Sequence, residues 1–164
     1  MVKTILATCC MVFLVSCRCQ RTGDTETETP TEPISSERIR EFLRERNFDI
    51  IHSANSAVAF NITKKLLEGT TDEYSNKLVL KDTLNPRQIE ELRTLLQDDA
   101  SYDWSEKEQE TEFDPELQFL LRNGTKRITL KVDRKSQRLG FINLEGQKVI
   151  ALSGRLADYF EKLP

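Results

Sequence analysis

The sequence predicts an α+β domain: a four-stranded antiparallel meander over about residues 117–152 plus N-terminal strands, packed with helices at about 36–46, 86–97 and 154–163. Three observations predict it. Apolar and polar residues alternate with a period of two between Asn-Gly and Glu-Gly turn signals in the C-terminal half. Apolar residues at helical spacing follow helix-start signals at three places. The composition, 38% hydrophobic and 31% charged over 164 residues, suits one globular body with extra segments rather than a multi-span membrane protein.

The chain opens with a basic residue, Lys3, and a twelve-residue apolar run, "TILATCCMVFLV", from Thr4 to Val15. Ser16 and Cys17 follow. A short basic start, a short apolar run and a small residue before a cut make a secretory signal peptide. The run is too short to span a bilayer, which takes about 20 apolar residues. Leu14-Val15-Ser16-Cys17 resembles the lipobox of bacterial lipoproteins, with an aliphatic residue, a variable one, a small one and then cysteine. The resemblance implies cleavage between Ser16 and Cys17, a diacylglyceryl group on the Cys17 sulfur and, often, a further acyl chain on the new amino group. The implied partner is the lipid bilayer, since two or more acyl chains hold a protein stably where one does not.

All four cysteines lie in the first twenty residues. Cys9 and Cys10 leave with the signal. Cys19 is then incidental, or a thiol that pairs between molecules. A Cys-x-Cys pair can bind metal, but nothing nearby completes a site, so no metal or other cofactor is expected. Residues 1–16 are thus read as signal peptide, 17–35 as a disordered Thr/Glu/Pro-rich tether and 36–164 as one domain. An Asp after the acylated cysteine resembles the inner-membrane retention signal; Arg18 stands there instead, which points to the outer membrane, with the facing side left open.

Within the domain, Ser35 is expected to cap the first helix, with Ile34 and Ile39 as a hydrophobic staple and Ile39, Phe42, Leu43 and Arg46 at helical spacing. Ala57–Ile62 and Asn76–Asp82 read as strands. The clearest helix start is Leu84-Asn85-Pro86. Asn85 caps, Pro86 takes the first helical position and Gln88 completes a capping box. Ile89, Leu92, Leu95 and Leu96 form its buried stripe. Four strands follow at 117–122, 125–133, 139–144 and 147–152, with turns at Asn123-Gly124 and Glu145-Gly146. In the second of them, Ile128, Leu130 and Val132 should face inward. Ser153 then caps a last helix with Leu156, Tyr159, Phe160 and Leu163 on one side.

This order is similar to that of small uncharacterised lipoproteins of Bacteroidetes-type bacteria. There a helix like Leu84…Leu96 is followed by an aromatic segment, here Tyr102-Asp103-Trp104, by a Phe-x-Pro step, here Phe113-Asp114-Pro115, and by a meander. Such lipoproteins often carry cysteines in the acidic stretch and the meander, and this chain has none there. The resemblance implies a compartment, the cell envelope, and a fold type, and no activity.

Two charged regions are candidates for chemistry. Residues 98–116 hold Asp98, Asp99, Asp103, Glu106, Glu108, Glu110, Glu112, Asp114 and Glu116 against Lys107. The bland reading is a solvated acidic loop. Calcium is conceivable, although the EF-hand spacing is absent. The meander holds eight basic residues against Asp133 and Glu145. Arg127, Lys131, Arg134, Lys135 and Arg138 form a candidate polyanion-binding face, for an acidic glycan or lipid phosphate; the bland reading is a solvated sheet face. Tyr102 and Trp104 are either a stacking pair or part of the core. His52, the single histidine, reads as a partly buried polar residue rather than a ligand. Asn61-Ile62-Thr63 and Asn123-Gly124-Thr125 fit the N-glycosylation pattern, discounted behind a bacterial lipobox, and Asp82-Thr83-Leu84 resembles a Bacteroidetes O-glycosylation site.

No nucleotide-binding loop and no nucleophile elbow is present. The net charge of −3 makes no case for nucleic acid. The leading expectation is a non-enzymatic, lipid-anchored envelope lipoprotein that binds an envelope protein or acidic glycan, with no catalytic residues assigned. The alternatives are a carboxylate-dependent enzyme acting on envelope glycans and a structural subunit of an envelope complex.

Overall fold

The computed structural model describes residues 35–105 and 112–163. The elements run α1 (Glu37–Leu43), α2 (Glu45–His52), β1 (Ser56–Leu66), β2 (Tyr74–Thr83), α3 (Pro86–Leu96), a 3₁₀ turn (Asp99–Ser101), β3 (Tyr102–Asp103), β4 (Leu117–Asn123), β5 (Lys126–Asp133), β6 (Arg138–Asn143), β7 (Gly146–Leu152) and α4 (Gly154–Lys162). The class is α+β, and most of it is one antiparallel sheet of seven strands in the order β2-β1-β4-β5-β6-β7-β3.

That order corrects the expected four-stranded meander. The strands of residues 117–152 are not a sheet of their own; both of their edges are paired. β1 lays Ser56–Asn61 along Leu117–Arg122, and Tyr102-Asp103 closes the far side on Ala151-Leu152. Without those partners the core-facing β4 and β7 would be open sheet edges, a liability that folded proteins cover. β1 and β2 are also longer than expected, and they continue as a two-stranded ribbon past the end of β4 pairing at Asn61.

Register decides which residues share a face, because directly opposed residues point the same way. Ala59, Phe119, Leu130 and Phe141 align across β1, β4, β5 and β6, and Leu117, Val132, Leu139 and Ile150 form the adjacent row. All are buried. Ile39 and Leu43, Phe48 and Ile51, Leu92 and Leu96, and Leu156 and Phe160 come from the four helices into the same cluster. Each fully buried side chain of this size stabilises the fold by about 1.5–3 kcal/mol relative to exposure. Among the described residues, the buried hydrophobic side chains of the helices all join this cluster, which leaves the opposite sheet face without a helix.

The first helix is also corrected. The expected span 36–46 is two helices that meet at Arg44, whose φ is 65° and ψ 153°. A straight continuation would carry Arg46 along the buried stripe. The break instead leaves Arg46 exposed and brings Phe48 and Ile51 inward. The Asn47 amide donates to the Leu43 carbonyl at 2.9 Å, which satisfies one carbonyl at the interruption.

Helix caps divide into two kinds. At α3 the capping box forms: the Gln88 N–H donates to Asn85 Oδ1 at 3.0 Å and the Asn85 N–H to Gln88 Oε1 at 2.9 Å. Leu84 and Ile89, the staple pair, are both buried. At α1 and α4 the expected serine caps are absent. Ser36 and Ser153 hold the cap positions without a side-chain cap bond. The Asp99 carboxylate caps α1 from 60 residues away, accepting from the Ile39 N–H at 2.8 Å and the Arg38 N–H at 3.2 Å. Ser35 serves Asp99 rather than the helix, since its hydroxyl donates to Asp99 Oδ2 at 2.8 Å. The staple residue Ile34 lies outside the described residues.

A candidate binding cleft behind the edge strand

The irregularity that shapes the site is in β2. Val58 opposes Thr83 and Ala59 opposes Asp82, but the next residue of β1, Phe60, opposes Leu80. Lys81 is therefore an extra residue, a bulge in the edge strand. Bulges bend a strand and re-aim its side chains. Here the bulge sets Lys81 and Asp82 at the rim of a cleft of about 410 Å³ on the helical side of the sheet.

The floor of the cleft is apolar: Ala59, Leu117, Phe119 and Leu84 line it. Asn61, Lys81 and Asp82 supply an amide, an ammonium and a carboxylate, and Leu163 after α4 closes one side. Asp82 Oδ1 also accepts from the Thr83 N–H at 2.7 Å. An apolar cavity of 300–1,000 Å³ with a few polar groups is the usual form of a small-ligand site. The lining has no serine, cysteine or histidine. Its groups can hold and orient a ligand. A second cleft of about 410 Å³ runs between α3 and α4, again against Leu163. Tyr159 lines it, and its hydroxyl has no hydrogen-bond partner among the described residues. Burial, with the Glu91 charge adding, pushes that phenol up to about 12.

Of the basic residues singled out in the sequence, Lys131, Arg134, Lys135 and Arg138 lie about the β5–β6 turn and Arg127 stands apart. Arg127, Lys131 and Arg138 belong to the helix-free face, on the opposite parity to Ile128, Leu130 and Leu139. Arg127 stands at one end of β5, about 20 Å from the turn at the other. There Arg134 is tied to Glu116, its Nε donating at 2.7 Å, while Lys135 is exposed. Arg138 lies over the Phe113 ring at 5.8 Å. Arg127 directly opposes Arg122, a like-charge pair.

The acidic stretch is dispersed. Asp99 caps α1, Asp98 accepts from the Ala100 N–H at 3.0 Å, and Asp103 accepts from the Ser105 hydroxyl at 2.7 Å. Asp114 pairs with Lys64 at 2.9 Å, and Glu116 with Arg134. Glu106, Glu108 and Glu110 lie outside the described residues. Among the described residues no group of three or more His, Cys, Asp or Glu is placed to hold a metal ion.

Tyr102 and Trp104 belong to the core and its edge. Tyr102 is buried and donates to the Leu96 carbonyl at 2.7 Å. Burial, with the charges of Asp98 and Asp99, holds its phenol well above the usual range. Trp104 donates to the Asp99 carbonyl at 2.7 Å, meets Tyr102 edge-on, and has the Arg38 guanidinium over its ring at 4.6 Å. His52 is exposed rather than partly buried. Its Nδ1 lies 2.7 Å from Gln97 Oε1, and its ring stacks on Phe48.

Sequence reasoning missed the cleft. Asn61, Lys81 and Asp82 read as strand residues in the sequence, Asn61 and Asp82 also as parts of modification motifs, and none of them as a site. A bulge leaves no local signature when its extra residue is an ordinary lysine. Ser16 and Cys17 lie outside the described residues. Compared with protein families, curated proteins and solved structures, the chain has no significant match.

Proposed function

We propose that this chain is an envelope lipoprotein held at the bilayer by acylated Cys17, and that its α+β domain is a binding module whose ligand enters the cleft behind the β2 bulge. The cleft carries the reading. Its apolar floor and its rim of Asn61, Lys81 and Asp82 suit a small amphipathic group with an apolar body and a polar head. Leu14-Val15-Ser16-Cys17 supports the anchor. Among the described residues no helix is long and apolar enough to cross a membrane. The outer membrane is the proposed address, on the strength of Arg18.

Two measurements test the two halves. Cys17→Ala should abolish incorporation of a labelled fatty acid and release the domain from membranes; persistent labelling would end the anchor proposal. For the cleft, 1-anilinonaphthalene-8-sulfonate is a suitable probe, with an apolar body and one anionic group. The folded protein should enhance its fluorescence, and Ala59→Leu, which fills the floor, should reduce that enhancement. An unchanged signal in Ala59→Leu with an unchanged circular dichroism spectrum would remove the cleft from consideration.

A further inference from the structure

The two ends of the sheet are unlike. At one end β3 is two residues long. At the other, β2 is a ten-residue edge strand with no proline. Leu78, Val79 and Leu80 are 45%, 41% and 63% exposed there, and Tyr74 is 59% exposed. Native proteins usually blunt such an edge, because it is a template for another strand.

The hydrogen-bond pattern says which backbone groups are free. The Ile62 N–H donates to the Glu116 carbonyl, on the β4 side of β1. Alternate residues of an antiparallel strand turn their backbone groups to opposite neighbours. Asn61 and Thr63 therefore face β2, and their partners Val79 and Lys77 face back toward them. Asn76, Leu78 and Leu80 turn their N–H and C=O groups outward, to the open edge.

Side chains along this edge also sort by face. Leu78 and Leu80 share the helix-free face with their partners Ile62 and Phe60. Lys77 and Val79 lie on the helical face, and Lys81 follows at the bulge. Asp82 at one end, and Glu68, Asp72 and Glu73 in the loop at the other, limit the basic stretch to residues 76–81.

We propose that β2 is a docking edge for an extended peptide segment of a partner protein in which apolar residues alternate with acidic ones. Backbone groups of Asn76, Leu78 and Leu80 pair with the added strand. Its apolar side chains extend the row made by Leu78 and Leu80, and its carboxylates meet Lys77 and Lys81. Strand addition of this kind takes affinity from the backbone and specificity from alternate side chains. A second copy of the chain fits less well. In each register that brings leucine onto leucine, Lys77 and Lys81 come opposite each other or opposite Ser75, Val79 or Thr83, so a second copy offers them no carboxylate.

The edge borders the cleft and shares Leu80 and Lys81 with its lining; Ala59→Leu, which fills the cleft floor, separates peptide binding from cleft binding. The probe is a labelled synthetic peptide of alternating valine and glutamate, titrated into the full chain in detergent and followed by fluorescence anisotropy. Saturable binding is expected, and an alternating valine–lysine peptide should bind weakly. Leu78→Pro removes an outward N–H without touching the β1 ladder, a tolerated place for proline, and should abolish binding. Lys77→Glu with Lys81→Glu should weaken the glutamate peptide by about tenfold and invert the preference toward the lysine peptide. That inversion supports the proposal even if Leu78→Pro fails to fold. Ala59→Leu and Cys17→Ala should leave peptide binding unchanged. No binding by the unaltered chain, or equal binding of both peptides, overturns the proposal. So does a dimer, seen by sedimentation, that Leu78→Pro dissolves, because the edge then belongs to a second copy.

Discussion

Asp99 sits between two helices' worth of packing and is only 9% exposed. Its two carboxylate oxygens take the Ile39 and Arg38 N–H groups and the Ser35 hydroxyl, while its own N–H donates to the Ser35 carbonyl at 2.7 Å. An anion at a helix N-terminus is favoured twice, by the free N–H groups and by the helix dipole. Asp99→Ala should therefore cost about 2–3 kcal/mol, because it orphans the buried Ile39 N–H as well as removing the charge. Urea denaturation would measure it; a loss no larger than that of an exposed surface alanine would mean that α1 is capped by solvent. In the sequence Asp99 is one of nine acids in a row, and nothing local separates it from the others. Its role depends on a helix 60 residues upstream, and capping across that distance leaves no spacing to read.

Asp133 is a second acid whose role is tertiary. It is 3% exposed, at the end of β5, and accepts from the Ser136 N–H and the Asp114 N–H, both at 3.0 Å. Burial pushes its pKa up, but these N–H bonds outweigh burial and hold it below the ordinary carboxylate value. A carboxyl with a lowered folded pKa stabilises the fold above its unfolded pKa of about 3.9, and the contribution fades as pH falls through the folded value. Asp133→Asn should destabilise at pH 7, and its deficit relative to the parent should shrink as pH is lowered below about 4. Denaturation curves at a series of pH values test the sign: a deficit that grows with acid would mean the group is not held ionised.

At the scale of elements, α3 was legible and the α1–α2 corner was not. Asn85, Pro86 and Gln88 write the start of α3 into four consecutive positions, and the observed capping box follows from them. The corner at Arg44 has no such text. Arg44-Glu45-Arg46 are good helix formers, and no glycine or proline interrupts them. The backbone at Arg44, φ 65° and ψ 153°, lies where glycine is at home and other residues are strained by about 1–3 kcal/mol. The packing of Ile39 and Leu43 on one side and Phe48 and Ile51 on the other overrides local preference. Arg44→Gly should relieve part of that strain and raise stability by about 1 kcal/mol, after the extra entropy of the unfolded glycine chain is subtracted. Thermal unfolding decides it. A fall in Tm would place the conformation of Arg44 within reach of ordinary residues.

The Phe113-Asp114-Pro115 step belongs to the same scale. Phe113 lies against the helix-free face at Gly140, where a Cβ would come within 3.0 Å of its ring. Asp114 donates its N–H to Asp133 and pairs with Lys64, so the step is sewn to β5 and β1 at once. The sequence marked the step as a unit. What it touches depends on a missing side chain at Gly140, and a glycine inside an alternating strand does not announce its neighbour.

At the scale of the whole molecule, the sheet order joins what the chain separates. β4 is central to the pairing with β1 and β5, and β1 reaches it across more than fifty residues. Periodicity identifies such strands and turns identify local hairpins, but neither encodes a pairing between distant strands. That is why the hairpins at Asn123-Gly124 and Glu145-Gly146 were legible and the seven-stranded order was not. The consequence is one core rather than two. Phe119 on β4 is 1% exposed, packs against Phe160 of α4 with ring centroids 5.5 Å apart, and borders the cleft floor. Phe119→Ala should cost about 3–5 kcal/mol, since a cavity there cannot collapse between a sheet and a helix. Against a typical total of about 5–15 kcal/mol, this is a large share of the stability. If the core is single, the loss must appear in one transition. Far-ultraviolet circular dichroism, which follows the sheet, and Trp104 fluorescence, which follows the α1 side, should shift together to lower denaturant in Phe119→Ala. Two separated transitions, with Trp104 unmoved, would mean that α1 and α2 form a unit that folds apart from the β1–β4 pairing. Leu80→Ala is the matched control: Leu80 is 63% exposed, outside the core, and its loss should leave both signals within about 0.5 kcal/mol of the parent.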